Sequence, residues 1–466
     1  RSRELQLTKN EGMYHITPFT LSYFDMTIMA DRISWDLDED SLDIAISSAQ
    51  NIVPAYLESK DYFNKTDMKS LAGIYDFHPL IMTVHYSRQL KSRHFNVYDL
   101  SNAYNQNNNA VKATMITLKQ NGFINYNQET GDITLKDKAF HYVDANRFTK
   151  DYDDLKIKSL SPLKPNATLR LDEKEIVIRG IDRFYISEIL DVFIYPENNE
   201  ITLLRDRDLQ FDGQLFSANF EFIGREFLVN YDSFFVDMTT IDSIRFYIDN
   251  METGEKEMVD NKLVTTGDST SQDMMDGLSQ EFADNSGRLY INRPDNKSGQ
   301  KIYPNYPRFN AEKGAIVYFD NKEVLDGAYD KSMYFVIPPF QIDSLSGSDP
   351  STIGFDGKFI AEGMLPPFEE TLYIMDDNSL GFDHVIAPEG YELYEGTGKI
   401  YNKLRMDKNG LTASGSVNYI SSSFDSDQLT LYMDSVTGKG TGFMMQAGTY
   451  GTGSFPDASV NTFTLK

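Results

Sequence analysis

The chain has 466 residues, 70 Asp and Glu against 44 Lys and Arg, a formal net charge of -26, and no cysteine. The absence of cysteine excludes disulfides, a thiolate nucleophile and Cys-ligated zinc, and the acidic balance argues against wholesale binding to nucleic acid or anionic lipid, which needs clustered positive charge. Hydrophobic residues at 40% and aromatics at 13% allow a sizeable core, unlike a disordered acidic tail, and the length suits roughly two to four domains.

The N-terminal stretch "RSRELQLTKNEGMYHITPF" has no initiator Met and no apolar signal region, so it reads as an internal cut in a longer protein. No run approaches the ~18–20 apolar residues of a membrane helix. Residues 1–75 form a first β segment. Within it, "ADRISWDLDEDSLDIAI" (30–46) places two strand-like runs around an acidic turn. Asp36, Asp38 and Asp40 alternate as the start of a calcium loop does. The sixth loop position is Ser41 and the twelfth is Ser47, which excludes an EF-hand and leaves a looser oxygen-ligand calcium site as the metal candidate. No other cofactor is expected. Trp35, the one tryptophan, reads as strand packing.

Residues 76–150 break the β pattern. The spacing predicts a helix over Asn96–Gln106, with Val97, Leu100, Ala103 and Tyr104 on one side. The Asn run 107–109 makes a turn. A second helix follows over Ala110–Asn121, with Val111, Met115 and Leu118 at i, i+4, i+7. Gly122 closes it, and "FINYNQETGDITL" reads as a hairpin. An earlier helix is expected near Lys65–Ile74 or Ile81–Lys91. Helix, turn, helix, hairpin resembles the winged-helix superfamily. Residues 85–125 hold Arg88, Lys91, Arg93, Lys112 and Lys119 against Asp99 alone, and these five are the candidate partner-contact residues. Asn and Lys can read bases, but the second helix has no Arg, and Glu129 and Asp132 on the wing oppose phosphate. Protein contact or internal packing is therefore the preferred reading, and DNA the alternative.

Residues 151–260 and 291–466 return to short alternating runs. "DSIRFYID" sets Ile244, Phe246 and Ile248 on one face. A polar turn followed by a strand start recurs as "DEDSLDIAI", "NQETGDITL", "PENNEITLL" and "DSDQLTLYM". "LQFDGQLFSANFEF" (209–222) echoes "IGFDGKFIAEGMLPPF" (353–368), sharing Phe-Asp-Gly at 211–213 and 355–357. Between the blocks, Met274, Leu278 and Phe282 suggest a helical connector over 261–290. The fold class is mainly β: an elongated β-solenoid, or a β-roll or sandwich, with a small inserted α+β winged-helix-like module.

The 30–46 and 181–204 rhythm of a charged start, alternating strand, polar turn and second strand resembles the strand repeats of the organic-solvent-tolerance, lipopolysaccharide-transport type of periplasmic β-jellyroll. The Asn-, Asp- and Tyr-rich style is similar to large uncharacterised envelope proteins of the Bacteroidetes type. The resemblance touches residues 20–60 and 165–466. It implies the periplasm, outer membrane or cell surface, and partners among envelope proteins or other parts of a longer chain.

Catalytic patterns are missing. Six histidines show no H-E-x-x-H or H-x₃₋₅-H spacing, and no G-x-S-x-G elbow or phosphate-loop spacing occurs. His15, His141 and His384 stand alone and read as ordinary histidines. With so many acids, no carboxylate pair can be nominated for glycoside hydrolysis. Phe184, Phe193, Phe220, Phe246 and Phe335 read as core rather than as a binding platform. The expected function is a non-enzymatic structural or adhesive binding module. The alternatives are a carbohydrate-active or carbohydrate-binding protein on a β-solenoid, a lipid-transfer β-roll, and DNA contact through the helical module.

Overall fold

The computed structural model describes residues 3–8, 18–46, 53–249, 256–259, 263–264, 286–345 and 352–465. Strands account for 49% and helices for 14%, so the chain is mainly β. Met274, Leu278 and Phe282 lie outside the described residues; of the expected connector, Leu263–Val264 and Gly287–Tyr290 are strands. No helix among the described residues is long and apolar enough to cross a membrane.

The chain divides into two compact units. The first comprises Arg1–Ala218, Arg225–Met238 and Leu289–Pro307, and the second Asn219–Gly224, Thr239–Arg288 and Arg308–Lys466. In the first unit, an antiparallel ladder runs Glu4–Thr8, Arg32–Asp36, Ser41–Ala45, Ala167–Arg170, Glu175–Arg179 and Glu200–Leu203. Phe184–Ser187 and Val192–Pro196 form a hairpin whose second strand pairs with Leu209–Ser217. A separate four-stranded sheet orders Lys156–Ser159, Ala55–Ser59, Met26–Met29 and Phe19–Leu21. In the second unit, antiparallel neighbours follow one another from Ala315–Tyr318 through Met333–Ile337, Gly354–Ala361, Leu365–Ile374 and Leu380–Val385. They continue through Lys403–Asp407, Gly410–Tyr419, Ser422–Leu431, Val436–Met445 and Ala458–Leu465.

The Phe-Asp-Gly echo does the same job in both units. Phe211 and Phe355 are buried. Asp212 accepts the Glu226 amide at 2.8 Å, and Asp356 accepts the Thr371 hydroxyl at 2.6 Å. A Cβ on Gly213 would lie 2.4 Å from the Tyr195 carbonyl oxygen, and one on Gly357 2.2 Å from that of Val336. Only glycine lets the neighbouring strand come this close.

The helical segment of the first unit contains more elements than the sequence pattern predicted. Helices Lys65–Ser70 and Pro79–Leu90 both form, followed by a strand, His94–Asn96, and helices Val97–Ala103 and Asn108–Gln120. Strands Ile124–Tyr126 and Asp132–Leu135 make the hairpin, and His94–Asn96 adds a third strand to it. Asn107 caps its helix by accepting from the amides of Asn109 and Ala110. Asn108 therefore lies inside the helix, which begins two residues earlier than predicted. Val97, Leu100, Val111, Met115 and Leu118 are all buried in one cluster, while Ala103 is exposed. An unpredicted helix, Asp137–Asn146, packs Ala139, Tyr142 and Val143 into the same cluster.

Phe184, Phe220, Phe246 and Phe335 are buried as expected, but Phe193 is not. Val192 and Ile194 take the inward positions of its strand, and period-two alternation turns Phe193 outward. It lies half-buried and stacked on Phe216 at 4.9 Å. Phe359 is the contrasting case. It is fully buried, with Phe382 and Phe368 at 4.9 and 5.2 Å. Phe359→Ala is expected to cost about 3–5 kcal/mol in urea unfolding, and Phe193→Ala less than half of that. Equal losses would contradict the inward and outward assignment.

Candidate functional site

The acidic turn is a hairpin connection. Asp36 Oδ1 accepts the Asp38 amide at 3.1 Å, and Asp38 lies 3.4 Å from the Arg3 guanidinium. Trp35 Nε1 donates to the Glu39 carbonyl. Asp38 and Asp40 face solvent. Among the described residues, no three acidic or imidazole side chains are gathered for a metal ion, Asp36, Asp38 and Asp40 included.

Of the five basic candidates, the fold brings Arg88 and Arg93 together. Arg88 donates to both oxygens of Asp144 at 2.7 and 2.8 Å, and Arg93 pairs with Asp137 at 2.7 Å. Their guanidiniums lie 5.8 and 5.0 Å from the Phe140 ring. All three partners come from helix Asp137–Asn146, outside the window in which the positive charge was counted. Lys112 donates to the Tyr98 hydroxyl at 2.7 Å and covers its ring. Lys91 ends helix Pro79–Leu90 with φ 52 and is exposed, and Lys119 sits in the last turn of Asn108–Gln120.

The entry and exit of the helical segment meet at one buried cation. Arg207, 5% exposed, donates to Asp153 and Asp232, lies 3.7 Å from Asp61 and sits 5.3 Å from the Tyr231 ring. Asp153 also accepts from the Ser59 hydroxyl. Main-chain bonds join the two crossings: Asp153 donates its amide to the Asp61 carbonyl at 2.9 Å, and Phe63 donates to the Asp153 carbonyl at 3.2 Å. Asp151 accepts from the amides of Lys297 and Ser298.

Beside this cluster is a cleft of about 640 Å³, lined by residues of Thr20–Thr27, the Ser59–Asp61 turn, and the first turns of Asp137–Asn146. His141 lines it and is 5% exposed. Asp61 Oδ1 lies 3.5 Å from its Nδ1. Burial and, next, the Lys150 ammonium hold the imidazole below its ordinary pKa. Glu58 is buried between Lys138 at 3.1 Å and Lys156 at 3.0 Å. Burial opposes its ionisation, but the two lysines outweigh it and hold the carboxyl below its usual range. The Ser59 hydroxyl donates to Asp153.

Two further features lie elsewhere. On the outer face of the first unit, Tyr185, Phe193, Phe216 and Tyr195 form a half-buried row with neighbouring centroids 4.9–5.7 Å apart. Arg183 lies over three of these rings, at 5.1–5.9 Å. In the second unit, His384 stacks on Phe368 at 3.9 Å and is bonded to Glu370 at 2.8 Å and to the Tyr391 hydroxyl at 2.9 Å. Both of its ring nitrogens are satisfied, as the ordinary-histidine reading expects.

No protein-family description matches the chain, and no solved structure matches it. It is 26% identical over 127 residues to "Uncharacterized protein YfjW" of Escherichia coli (strain K12), a match covering 27% of this chain and 22% of that protein.

The sequence reading missed Arg207, Asp153 and the place of His141 in the cleft. The signal available was the apolar spacing of Ala139, Tyr142 and Val143, which would have placed His141 on a helix.

Asp154 supplies a pH test. Burial, then Glu188, Asp153 and Asp151, push its carboxyl up to about 7. A raised acid contributes stability that is fully present below its unfolded value near 4 and is lost as pH rises through about 7. The unfolding free energy of Asp154→Asn is expected to match that of the native chain at pH 4 and to exceed it by about 2 kcal/mol or more at pH 8. Parallel pH profiles would contradict the assignment.

Proposed function

We propose that the chain is a non-enzymatic structural and binding module of a larger bacterial cell-envelope protein, in the periplasm, at the outer membrane or at the cell surface. Its partners are other parts of a longer chain or envelope proteins. Residues 76–150 are read as a winged-helix-like module, because helix Pro79–Leu90, strand His94–Asn96, helices Val97–Ala103 and Asn108–Gln120 and the hairpin strands Ile124–Tyr126 and Asp132–Leu135 follow one another in that order. The antiparallel neighbours of both units favour a β-roll or sandwich over stacked rungs.

The observation that carries the packing role is the tying of both crossings of the helical segment to Arg207. A module held at both ends over a buried ion cluster is part of its unit rather than a free reading head. The pairing of Arg88 and Arg93 with Asp144 and Asp137 supports this, since it neutralises two of the five cations in the patch that favoured DNA.

A second reading, carbohydrate contact, is favoured by the Tyr185–Phe193–Phe216–Tyr195 row, because half-exposed aromatic faces suit stacking on sugar rings. Glycan-array binding lost in Phe193→Ala would support it, and no glycan retained by the native chain would remove it.

For the main reading, the native protein is expected in the envelope fraction of its cells. Recovery in the soluble cytoplasmic fraction would overturn it. In a low-salt mobility assay, the chain is expected to bind duplex DNA no more tightly than about 10 µM; sub-micromolar binding would restore the DNA alternative.

A further inference from the structure

In the second unit, strands Tyr391–Leu393, Gly398–Ile400, Gly410–Tyr419, Ser422–Leu431 and Val436–Met445 pair antiparallel in that order. Ile400 stands opposite Val417, and Val417 opposite Phe424. The ladder shifts register between Ala413 and Gly415, between Ser423 and Asp425, and between Asp425 and Gln428. Such irregularities bend a strand and interrupt its regular packing. Leu393, Val417, Phe424, Leu429 and Leu431 are buried and line a hollow of about 480 Å³.

The lining decides what the hollow can hold. Among the described residues no Lys, Arg or His lines it, and Asp434 is its one carboxylate. Ser435 donates to Asp434 at 3.0 Å, Ser422 to the Tyr419 carbonyl at 2.8 Å, and Tyr394 to the Ser435 and Tyr432 carbonyls at 2.6 and 2.9 Å. These polar groups are already bonded within the protein, so the walls offer mainly apolar contact. An anion would meet Asp434 and no counter-charge. The volume is about three times the ~150 Å³ that admits a single benzene ring. Tyr419 and Ile420, 46% and 41% exposed, stand at the rim. Ile420 has φ 54. A β-branched residue is strained in this left-handed region, where Gly or Asn is the ordinary choice. Core burial does not offset that strain for an exposed side chain, whereas apolar contact at the mouth gives it a use.

We propose that this hollow binds an uncharged, hydrocarbon-like molecule with the bulk of about three rings, seated among Val417, Phe424 and Leu431 and entering past Tyr419 and Ile420. The inference goes beyond the structural role proposed above and does not rest on it. Apolar walls with a single carboxylate at the edge favour a neutral ligand over a fatty-acid anion of equal length. That preference distinguishes a built site from general adhesion to apolar surface.

The test adds N-phenyl-1-naphthylamine, an uncharged probe that brightens in apolar surroundings, to the whole chain. Its fluorescence is expected to saturate with a dissociation constant of about 10 µM or tighter. Below micelle formation, dodecanol is expected to displace the probe at least about tenfold better than dodecanoate, and Asp434→Asn to narrow that gap. Ile420→Asn is expected to weaken binding at least about threefold while melting no lower than the native chain, because Asn tolerates the left-handed backbone. Val436→Trp adds bulk at a lining position and is expected to weaken binding at least about fivefold. Val385→Asn, on exposed surface of the same unit and outside the lining, leaves it unchanged. Thermal melting confirms that each variant is folded; should Val436→Trp fail to fold, Ile420→Asn carries the test alone. Fluorescence that does not saturate, equal affinity in Ile420→Asn and the native chain, or equal displacement by dodecanol and dodecanoate overturns the proposal. Probe binding that falls as the chain self-associates assigns the hollow to a second copy and overturns it as well.

Discussion

A guanidinium removed from water has to be met by carboxylates, because the cost of stripping its hydration is several kcal/mol and only close, bonded anions return it. Arg207 is in that position. Its partners are supplied by segments far apart in the chain: Asp61 just before the first helices, Asp153 just after the last, and Asp232 beyond the Leu209–Ser217 strand. The cation therefore sets where the helical segment enters and where it leaves. The main-chain bonds between Asp61, Phe63 and Asp153 follow from that meeting and reinforce it. Once both ends are fixed, the first turn of Asp137–Asn146 and the Ser59–Asp61 turn face a common cleft, and His141 is buried beside Asp61 rather than left at the surface.

The same pairing logic shapes the surface of the helical segment. Arg88 and Arg93 are long cations that a local count assigns to a binding patch. The fold instead gives each a carboxylate from the last helix and a share of the Phe140 ring. These pairs are exposed enough to add little stability, about 0–1 kcal/mol each. Their effect is on the electrostatic surface, which they flatten. Lys112 and Lys119 stay on helix Asn108–Gln120, the first of them bonded to the Tyr98 hydroxyl.

What the sequence showed was what depends on short-range periodicity. The Val111, Met115 and Leu118 stripe, the hairpin around Gly131 and the Phe-Asp-Gly strands could each be read because the residues that decide them lie within a few positions of one another. What it hid falls into two kinds. Some elements carry weak local signals: the strand His94–Asn96 is three residues long, and helix Asp137–Asn146 has charged residues among its apolar ones and no capping side chain. Other features are non-local. The two carboxylates that Arg207 donates to, Asp153 and Asp232, lie 54 and 25 residues away, Asp61 lies farther still, and no spacing rule connects them. Phe193 is a third case. Alternation was visible, but its phase was set by Val192 and Ile194, which outcompete it for the inner face.

The placement of the helical segment depends on Arg207 and the carboxylates around it. The most direct measurement is a double-mutant cycle on Arg207→Met and Asp153→Asn, read by urea unfolding. Arg207→Met alone is predicted to cost about 3–5 kcal/mol, because it leaves a buried carboxylate unpaired, and the double variant is predicted to recover at least about 1 kcal/mol of that loss. A cost below about 1 kcal/mol for Arg207→Met, with the two changes simply additive, would show that the cluster does not hold the segment in place.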